Sequence, residues 1–480
     1  MQRLIVPLAL ATIAGHAAAQ AFQSEIVIIR GDNIGTLTDP AEVAIMNQVR
    51  INNTGSWILR CNVNTLFSNN QNAIIRDGDL VEIVGTPAPG IPGSDYNTFS
   101  SIGLNNNGDR TLFASLTDLP NSQNRAYWFN SEPFIQYGDI SSSPLLTPGT
   151  PYIGLFNAHE VTDSGQIFII STVNDANIPT TVDRTLTRWD RVSAGNYTET
   201  VLIFESAEVG ATGRFVADLE TNSNQLDANN NGDVIYVARV DGDTASNRFL
   251  MVNNTPIIQQ TDPLPATPGR NVRLLTGAVS INDSGDWAAR LTLDGDPADD
   301  VLIVKNGTQI IAREGDDAPG AGGFNFTGFG SGPVHIGNNG AVLYAGVWNA
   351  PSQNTGVFVN DNLVLRQGDI FEVSSVIYEV TTIRSVTDGY HLSDNGEWAA
   401  IRVVLSDGFN TNLDAIVRIN IDLPTACPPD LNGDGVVDAD DFFLFLQLFA
   451  AGDPRADFNN DGVIDADDFF AFLSAFAAGC

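Results

Sequence analysis

A short motif recurs seven times along the chain, and it constrains the fold more than any other feature of the sequence. Each copy has one or two apolar residues, then Asn or Asp, one or two small polar residues, Gly and an apolar stretch. The repeat glycines are Gly55, Gly108, Gly165, Gly232, Gly285, Gly340 and Gly396. Their spacings are 53, 57, 67, 53, 55 and 56 residues, so one insertion interrupts a regular period. Such self-similarity is typical of repeat architectures.

Each repeat is predicted to form four short β-strands. In the fifth copy, the predicted strands are 277–281, 286–293, 300–304 and 308–313. The pair Asn306-Gly307 between the last two favours the positive backbone angles of a tight hairpin. A four-stranded unit leaves edges and an apolar face to cover, so such units must pack side by side around an axis. The sequence therefore predicts a mainly β fold, a seven-bladed β-propeller of four-stranded blades.

The ends of the repeat region predict how the ring closes. A Gly-Asp pair such as Gly138-Asp139 ends the fourth strand 28 to 30 residues after several repeat glycines. No such pair follows Gly396 at that distance, whereas an orphan strand with a Gly-Asp ending, residues 25–32, precedes the first repeat. We therefore expect the N-terminal strand to complete the seventh blade, which removes an open sheet edge.

The repeat resembles a family of exported bacterial proteins built from tandem Asn-x-x-Gly units. In that family a Gly-Asp pair trails each unit, sometimes with Ala-Pro-Gly, as at 88–90 and 318–320 here. The resemblance covers most of residues 22–422 and implies a β-propeller-type repeat domain whose function is unassigned.

The charge balance excludes several classes of partner. Fifty-seven acidic residues against 23 basic residues leave a net charge of -34 on 480 residues, and Lys305 is the only lysine. Nucleic-acid phosphates and acidic lipids both need clustered Lys and Arg, so we expect neither as a partner. Three cysteines are too few for a disulfide framework and too scattered for a zinc site.

Residues 1–21 are predicted to be a cleaved signal peptide. Arg3 supplies a basic start, residues 4–14 are largely apolar, and small residues at 17–21 suit a signal peptidase. The apolar stretch is shorter than the roughly 20 residues that a membrane-spanning helix requires. We expect no membrane span and an exported bacterial protein, extracellular or on the cell surface.

Few residues of the propeller are candidates for catalysis. His159, His335 and His391 each precede a repeat glycine by five or six residues, and this recurrence favours a structural role over that of a catalytic base. The acidic pair Asp299-Asp300 could serve glycoside hydrolysis, but pairs are expected by chance among so many acids. No recognised catalytic or nucleotide-binding motif is present. We assign no catalytic residue.

Two acidic twelve-residue loops follow a Pro-rich linker at 423–429. Oxygen donors fall at loop positions 1, 3, 5, 9 and 12, with Gly at 6 and a backbone carbonyl at 7, the spacing of an EF-hand loop around Ca²⁺. The predicted ligands of two Ca²⁺ ions are Asp430, Asn432, Asp434, Val436, Asp438 and Asp441, and Asp457, Asn459, Asp461, Val463, Asp465 and Asp468. Calcium is expected to supply folding free energy to this small module.

A short apolar helix is predicted after each loop, without a long helix before it. Such paired loop-helix units resemble dockerin modules, here the type I-like variant that begins near Cys-Pro and ends in Gly-Cys. Dockerins of related exported proteins plug into cohesin domains, so the resemblance implies a cohesin-like or surface-anchoring partner for residues 430–480. Positions 10 and 11, often Ser-Thr in dockerins, are Ala-Asp in both loops.

Two features of the module are open to alternatives. Cys427 and Cys480 could pair and clasp its ends, with about 4 kcal/mol of loop-closure stabilisation, or Cys480 could stay free for attachment. Phe443 and Phe470 lie one residue off the apolar stripes of the two helices, so they are either a docking surface or buried in the module.

Two hypotheses of function follow. The first is an exported calcium-binding protein whose dockerin-like module anchors a non-catalytic propeller to a surface or extracellular assembly. The alternative is a glycoside hydrolase or carbohydrate-binding component of a polysaccharide-degrading complex. Converging carboxylates with aromatic walls at the propeller axis would favour the second hypothesis, and polar loops without a pocket would favour the first.

Overall fold

The chain folds into antiparallel sheets followed by a small helical segment. The computed structural model describes residues 22–35, 40–178, 183–275, 277–421, 429, 431, 437–459 and 463–478. The predicted signal segment and nearly all of the predicted linker lie outside these residues. Contacts divide the chain into two units, one covering Phe22–Ile421 and one that takes in the segment from Asp422.

The first three blades each contain four strands. Strand β1 is Gln23–Ile29. The first blade has β2 (Ala41–Ile51), β3 (Trp57–Thr65), β4 (Gln71–Arg76) and β5 (Asp79–Ile83). The second has β6 (Tyr96–Leu104), β7 (Arg110–Leu116), β8 (Arg125–Phe129) and β9 (Glu132–Gln136). The third has β10 (Tyr152–Val161), β11 (Gln166–Val173), β12 (Asp183–Ser193) and β13 (Asn196–Phe204).

In the remaining blades the inner strand is split into two pieces that pair with the same second strand. The fourth blade has β14 (Val216–Leu219), β15 (Leu226–Ala228), β16 (Val234–Val240), β17 (Arg248–Val252) and β18 (Thr255–Gln259). The fifth has β19 (Val272–Leu274), β20 (Val279–Ile281), β21 (Trp287–Leu293), β22 (Val301–Lys305) and β23 (Gln309–Arg313). The sixth has β24 (Phe326–Gly328), β25 (His335–Ile336), β26 (Val342–Trp348), β27 (Thr355–Val359) and β28 (Asn362–Arg366). The seventh has β29 (Ile370–Val373), β30 (Val376–Ile383), β31 (Tyr390–Leu392), β32 (Trp398–Ser406) and β33 (Leu413–Asn420). Here β30 and β31 form the split inner strand, and β29 is an additional edge strand that pairs with β30.

The predicted seven-bladed propeller of four-stranded blades is confirmed. In the fifth blade the observed strands begin and end within two residues of the predicted ones. The early part of the inner strand, β19, was not predicted, because the strand is interrupted near Gly277. A Cβ at Gly277 would lie 2.0 Å from the carbonyl oxygen of Arg290, so the backbones approach closely there.

The predicted closure by the N-terminal strand is also confirmed. Strand β1 pairs antiparallel with β33, from Gln23 opposite Asn420 to Ile29 opposite Ala415. The Nε of Arg418 donates a hydrogen bond of 2.9 Å to Glu25 across this pair. The two ends of the repeat region are therefore held in one sheet, and no blade is left incomplete.

The residues after each outer strand link that blade to the next. The N–H of Gly138 donates to Tyr152 O at 2.8 Å, and the N–H of Tyr152 donates back to Asp139 O at 2.9 Å. The same pair of backbone bonds occurs seven times, with the first residue being Gly31, Gly85, Gly138, Ser206, Thr261, Gly315 and Gly368. This first residue has a φ between +74° and +97° in every copy, which explains the frequent Gly.

The apolar core lies between adjacent blades. One cluster joins Val237 of the fourth blade to Leu291 and Trp287 of the fifth, and a second joins Trp57 of the first blade to Ile416 of the seventh. Side chains of neighbouring blades therefore exclude water together, and each blade depends on its neighbours for burial.

The C-terminal segment contains two short helices where the sequence predicts them, α1 (Ala439–Ala451) and α2 (Ala466–Ala478), with a 3₁₀ turn at Pro454–Ala456. Phe445 and Phe472 occupy the same place in the two copies, and their rings stack with centroids 4.0 Å apart. The buried face of α1 follows Phe445 and Leu448, and Leu446 is 37% exposed. None of the described helices is long and apolar enough to cross a membrane.

Replacing Thr261 by Gly is expected to stabilise the propeller. Thr261 has φ +84°, a conformation that costs an L-residue roughly 1 to 2 kcal/mol, partly offset by the flexibility of Gly in the unfolded chain. We expect a net gain of about 1 kcal/mol, measured by chemical and thermal unfolding.

Gly85→Ala is the matched control for this prediction. Gly85 occupies the same link position at φ +83°, and a Cβ there would meet no atom within 4 Å. The substitution should therefore destabilise the protein through the backbone alone. A gain of stability in Thr261→Gly and a loss in Gly85→Ala would support the requirement for positive φ at this position. A loss of stability in Thr261→Gly would contradict it.

Candidate functional site

The seven repeat turns are joined in a closed ring of hydrogen bonds around one end of the propeller axis. The backbone N–H of the second residue in a turn donates to the side-chain Oδ1 of its counterpart in the next blade, at 2.8 to 2.9 Å. These five links run through Asn53, Asn106, Asp163, Asn230, Asp283 and Asn338. The N–H of Asn338 then donates to Asp394 O, and the N–H of Asn395 donates to Asn53 Oδ1 at 2.8 Å.

The first residue of several turns adds a second set of links. The side-chain amide of Asn52 donates to Asn105 O at 3.2 Å, and that of Asn105 donates to Thr162 O at 3.0 Å. Asn229 and Asn282 make the same bond to the blade that follows each of them. The Asn and Asp residues of the repeat motif therefore hold adjacent blades together.

Asp394 narrows the mouth of the axis by reaching across it. Its Oδ2 accepts hydrogen bonds from the amides of Asn106, at 2.7 Å, and Asn230, at 3.2 Å, which belong to the second and fourth blades. Burial raises the pKa of Asp394, and these two amides counter that effect. The end of the axis at the turns is thus filled with paired polar side chains.

A cavity of about 50 Å³ lies directly below this ring. The residue two positions before each turn occupies the register that faces the axis. In chain order these residues are Arg50, Gly103, Glu160, Asp227, Ser280, His335 and His391, and all but Gly103 line the cavity. Further along the axis, Asp388 forms an ion pair of 3.0 Å with Arg50 and accepts a hydrogen bond from Gln48.

The three histidines do not share one position, contrary to the sequence interpretation. His159 lies one residue earlier in its repeat than His335 and His391, and a shift of one residue turns a strand side chain to the other face. His159 is 2% exposed and packs edge-on against Tyr127, with its Nε2 2.8 Å from the Thr111 hydroxyl. His335 and His391 face the cavity instead.

The cavity is too small for a sugar ring. Ligand pockets for small molecules usually measure about 300 to 1,000 Å³, and no Phe, Tyr or Trp lines this one. The acidic pair Asp299-Asp300 lies elsewhere and is held by arginines, with Asp299 bound to Arg270 at 2.6 Å and Asp300 to Arg273 at 2.8 Å. At the described end of the axis the propeller therefore has polar loops and no sugar-sized pocket.

In the C-terminal module, the structure describes part of the predicted calcium set. Within the described residues are Asp438, Asp441, Asp457, Asn459, Val463, Asp465 and Asp468. Outside them lie Asp430, Asn432, Asp434, Val436 and Asp461, as well as the two cysteines of the predicted clasp, Cys427 and Cys480. No group of three or more His, Cys, Asp or Glu side chains in the described part of the chain is arranged to hold a metal ion. The calcium sites and the disulfide therefore stay predictions.

The described part of the second loop wraps around the carboxylate at its twelfth position. Asp468 accepts backbone hydrogen bonds from Phe458 at 2.7 Å, Asn459 at 3.0 Å and Asp465 at 2.9 Å. These bonds, with that of Asn459 the strongest contribution, lower the pKa of Asp468. Asp441 takes the equivalent place in the first loop, where it accepts the N–H of Asp438.

Two carboxylates are thus enclosed in a module that is poor in bases. Asp441 and Asp468 are both 0% exposed. Residues 427–480 contain eleven Asp and a single base, Arg455, which pairs with Asp453 at 2.9 Å. Carboxylate and carbonyl oxygens are the ligands that Ca²⁺ prefers, so this donor set fits the ion that the dockerin resemblance implies.

Phe443 and Phe470 are both on the surface of the module. They are 58% and 62% exposed, whereas Phe445 and Phe472, two residues further along, are 0% exposed. The alternative that the module buries both rings is therefore wrong. The internal repeat presents the same aromatic side chain twice, once after each loop.

Comparison with known proteins identifies the family of the propeller. The model of a family of unknown function, DUF7453, matches residues 14–255 and 207–417. The chain belongs to the DUF7453 family. Both matches end before the C-terminal module. No curated protein matches the chain.

Several solved structures share low similarity with this DUF7453 member. A protein of unknown function from Dyadobacter fermentans is 12% identical, with a TM-score of 0.29 over 83% of this chain and 98% of that one. The polysaccharide lyase Uly1 is 10% identical, with a TM-score of 0.38 over 78% and 89%. A Trypanosoma rangeli sialidase is 10% identical, with a TM-score of 0.30 over 76% and 69%. At these TM-scores no activity is transferred to this chain.

Acid is expected to destabilise the propeller through its buried histidines. Burial lowers the pKa of His159 to about 4, whereas an unfolded histidine titrates near 6.5. Below that value the unfolded chain binds a proton that the folded chain excludes, so stability is fully present above pH 6.5 and is lost as pH falls towards 4. His159→Gln should therefore lose about 2 kcal/mol less than the wild type between pH 7 and pH 5.

Urea unfolding of both proteins at the two pH values measures this difference. The variant starts from lower stability because it loses the packing of the ring, so only the change with pH is compared. Equal pH dependence in the two proteins would show that His159 titrates normally in the folded state.

Proposed function

We propose that this protein is an exported, calcium-dependent anchored propeller: the C-terminal dockerin-like module binds two Ca²⁺ ions and attaches a non-catalytic propeller to a cell surface or extracellular assembly. The observation that carries the proposal is the burial of Asp441 and Asp468, the twelfth residues of two matching acidic loops, in a module whose one base is already paired.

Calcium is the ion that suits these loops. The six predicted oxygen donors of each loop, with the carboxylates of Asp441 and Asp468 as the last donors, satisfy a cation that takes 6 to 8 oxygens. Bound Ca²⁺ would offset the net charge of -10 that eleven Asp and one Arg place on residues 427–480. The module is too small to be stabilised well by its apolar core alone, so ion binding would contribute much of its stability.

The exposed phenylalanines support a docking role for the module. An exposed aspartate at loop position 11 precedes each exposed phenylalanine in the sequence. Asp440 precedes Phe443, and Asp467 precedes Phe470. A complementary surface would have an apolar pocket for the ring and polar or basic groups for the acid. A cohesin-like domain or another surface-anchoring protein is therefore the partner that we propose.

The propeller supports a scaffold role better than a catalytic one. The axial cavity of about 50 Å³ has no aromatic wall, and Asp299 and Asp300 are bound to arginines. Export, which rests on the predicted signal peptide at 1–21, belongs to the same proposal. N-terminal sequencing of the mature protein, with a start near Gln20 or Phe22 expected, tests this part directly.

Calcium titration of the full chain by calorimetry tests the ion sites. We expect two ions per wild-type chain and one in Asp441→Asn or in Asp468→Asn, because each substitution removes the charged twelfth donor of one loop. Asp440→Asn and Asp467→Asn are matched controls, since they make the same change at the exposed eleventh position and should keep both ions. Absence of calcium binding in the wild type, or loss of an ion in the controls only, contradicts the proposal.

Binding of the full chain to cell-surface fractions of the source bacterium tests the docking surface. We expect retention in the presence of calcium, release by a chelator, and loss of retention in the double variant Phe443→Ser, Phe470→Ser. Phe409→Ser is the control, because this phenylalanine is 95% exposed on the propeller. Equal retention of the double variant and the wild type would assign the attachment to another surface.

A further inference from the structure

The axis-facing position is the one at which the blades differ in chemistry. It carries arginine, glycine, glutamate, aspartate, serine and two histidines, whereas the next residue is Ala, Ile, Leu or Val in every blade. Asp227, Ser280 and His391 each accept a backbone N–H of the next blade, so part of this variation serves contacts between blades. Glu160 lines the cavity and receives no hydrogen bond from the described residues, which points to recognition of something inside the cavity.

His335 lines this cavity and has an unsatisfied ring nitrogen. Its Nε2 is buried and has no hydrogen-bond partner among the described residues. A histidine nitrogen donates or accepts a hydrogen bond according to its tautomer, and a hydroxyl group can bond it in either case. A buried polar atom without a partner is unfavourable, so a ligand that hydrogen-bonds here would be stabilised.

Glu160 offers a hydrogen-bond acceptor in the cavity that His335 also lines. Its carboxyl lines the same cavity and receives no hydrogen bond from the described residues. Its charged neighbours are one base, Arg50, and the three carboxyls of Asp227, Asp388 and Asp394. Since Arg50 is already paired with Asp388, the site favours an additional positive charge.

The size and geometry of the cavity restrict the ligand. Two adjoining pockets, of about 50 and 30 Å³, share Arg50, Glu160, Asp227, His335 and His391. Together they hold about five water molecules, and hence a ligand of about five heavy atoms. No three His, Cys, Asp or Glu side chains in the part of the chain that the structure describes are placed for metal coordination, so an organic cation fits better than a metal ion.

We propose that this chamber binds a compact primary ammonium compound with a hydroxyl group, an amino alcohol of the size of ethanolamine. Its ammonium group pairs with the Glu160 carboxylate, and its hydroxyl forms a hydrogen bond with Nε2 of His335. The cavity lies in the propeller and not in the calcium module, so this proposal does not depend on the anchoring function.

Binding of the cation is coupled to proton release. Burial raises the pKa of Glu160, so a proton on its carboxyl competes with a bound cation. An arriving ammonium group replaces the proton on Glu160, and affinity therefore increases as pH rises. The groups that set this charge balance are Arg50, Asp227, Asp388, Asp394, His335 and His391.

Calorimetric titration of the full chain with ethanolamine at pH 6 and pH 8 tests the proposal, with sodium chloride and ethylene glycol as comparison solutes. We expect saturable binding of ethanolamine only, tighter at pH 8, with proton release detected from the buffer dependence of the heat. Glu160→Gln should weaken binding by at least about tenfold. Glu42→Gln, the same change at an exposed site on β2, should leave binding unchanged.

Two further measurements make the outcome decisive. Glu160→Gln should unfold no earlier than the wild type at pH 8, because it removes a buried ionisable group, so a loss of binding is not a loss of fold. His335→Phe keeps an aromatic ring but removes the ring nitrogens, and it should abolish the preference for ethanolamine over ethylammonium. No ethanolamine binding by the wild type at pH 8, or unchanged binding in Glu160→Gln, overturns the proposal.

Discussion

The structure depends on the hydrogen bond that passes from each repeat turn to the next one around the axis. A backbone N–H is a strong donor that must be satisfied. In six of the seven links the Oδ1 of an Asn or Asp in the following blade accepts it, and in the other the backbone carbonyl of Asp394 does. Each turn is at once a donor to one neighbour and an acceptor for the other, so the ring completes only when all seven are present. The backbone hydrogen bonds after each outer strand and the apolar clusters between blades further stabilise the same arrangement of blades.

The mixture of amides and carboxylates in that ring has an electrostatic reason. Seven carboxylates around one axis would repel each other, whereas Asp283 accepts amide hydrogen bonds from both Asn230 and Asn338. Asp394 is stabilised in the same way by Asn106 and Asn230. A strongly acidic protein therefore keeps its axis nearly closed by pairing its acids there with amides.

Much of this architecture is readable from the sequence, and the limits of the prediction are physical. The turns, the four strands and the closing strand follow from local signals, namely Gly at positive φ, Asn-Gly pairs and alternation of apolar residues. The interruption near Gly277 is set by the backbone of Arg290, which belongs to another strand, so no local pattern reveals it. The histidines were grouped because their distances to the repeat glycine are nearly equal, yet the one-residue difference turns His159 to the other face of its strand, away from the cavity. The axis-facing set could have been found by aligning the repeats at the turn, but the unsatisfied Nε2 of His335 required the structure.

The pairing of β1 with β33 determines when the ring of blades can close relative to synthesis of the chain. Glu25 and Arg418, which bond across it, are 393 positions apart. A ribosome adds roughly 5 to 20 residues per second, so the first strand waits about 20 to 80 seconds for its partner to be made. Until β33 pairs with β1 the seventh blade lacks its outer strand, and contacts of such long sequence separation form slowly. The ring of blades therefore closes only when the last strand to be synthesised, β33, pairs with the first, β1.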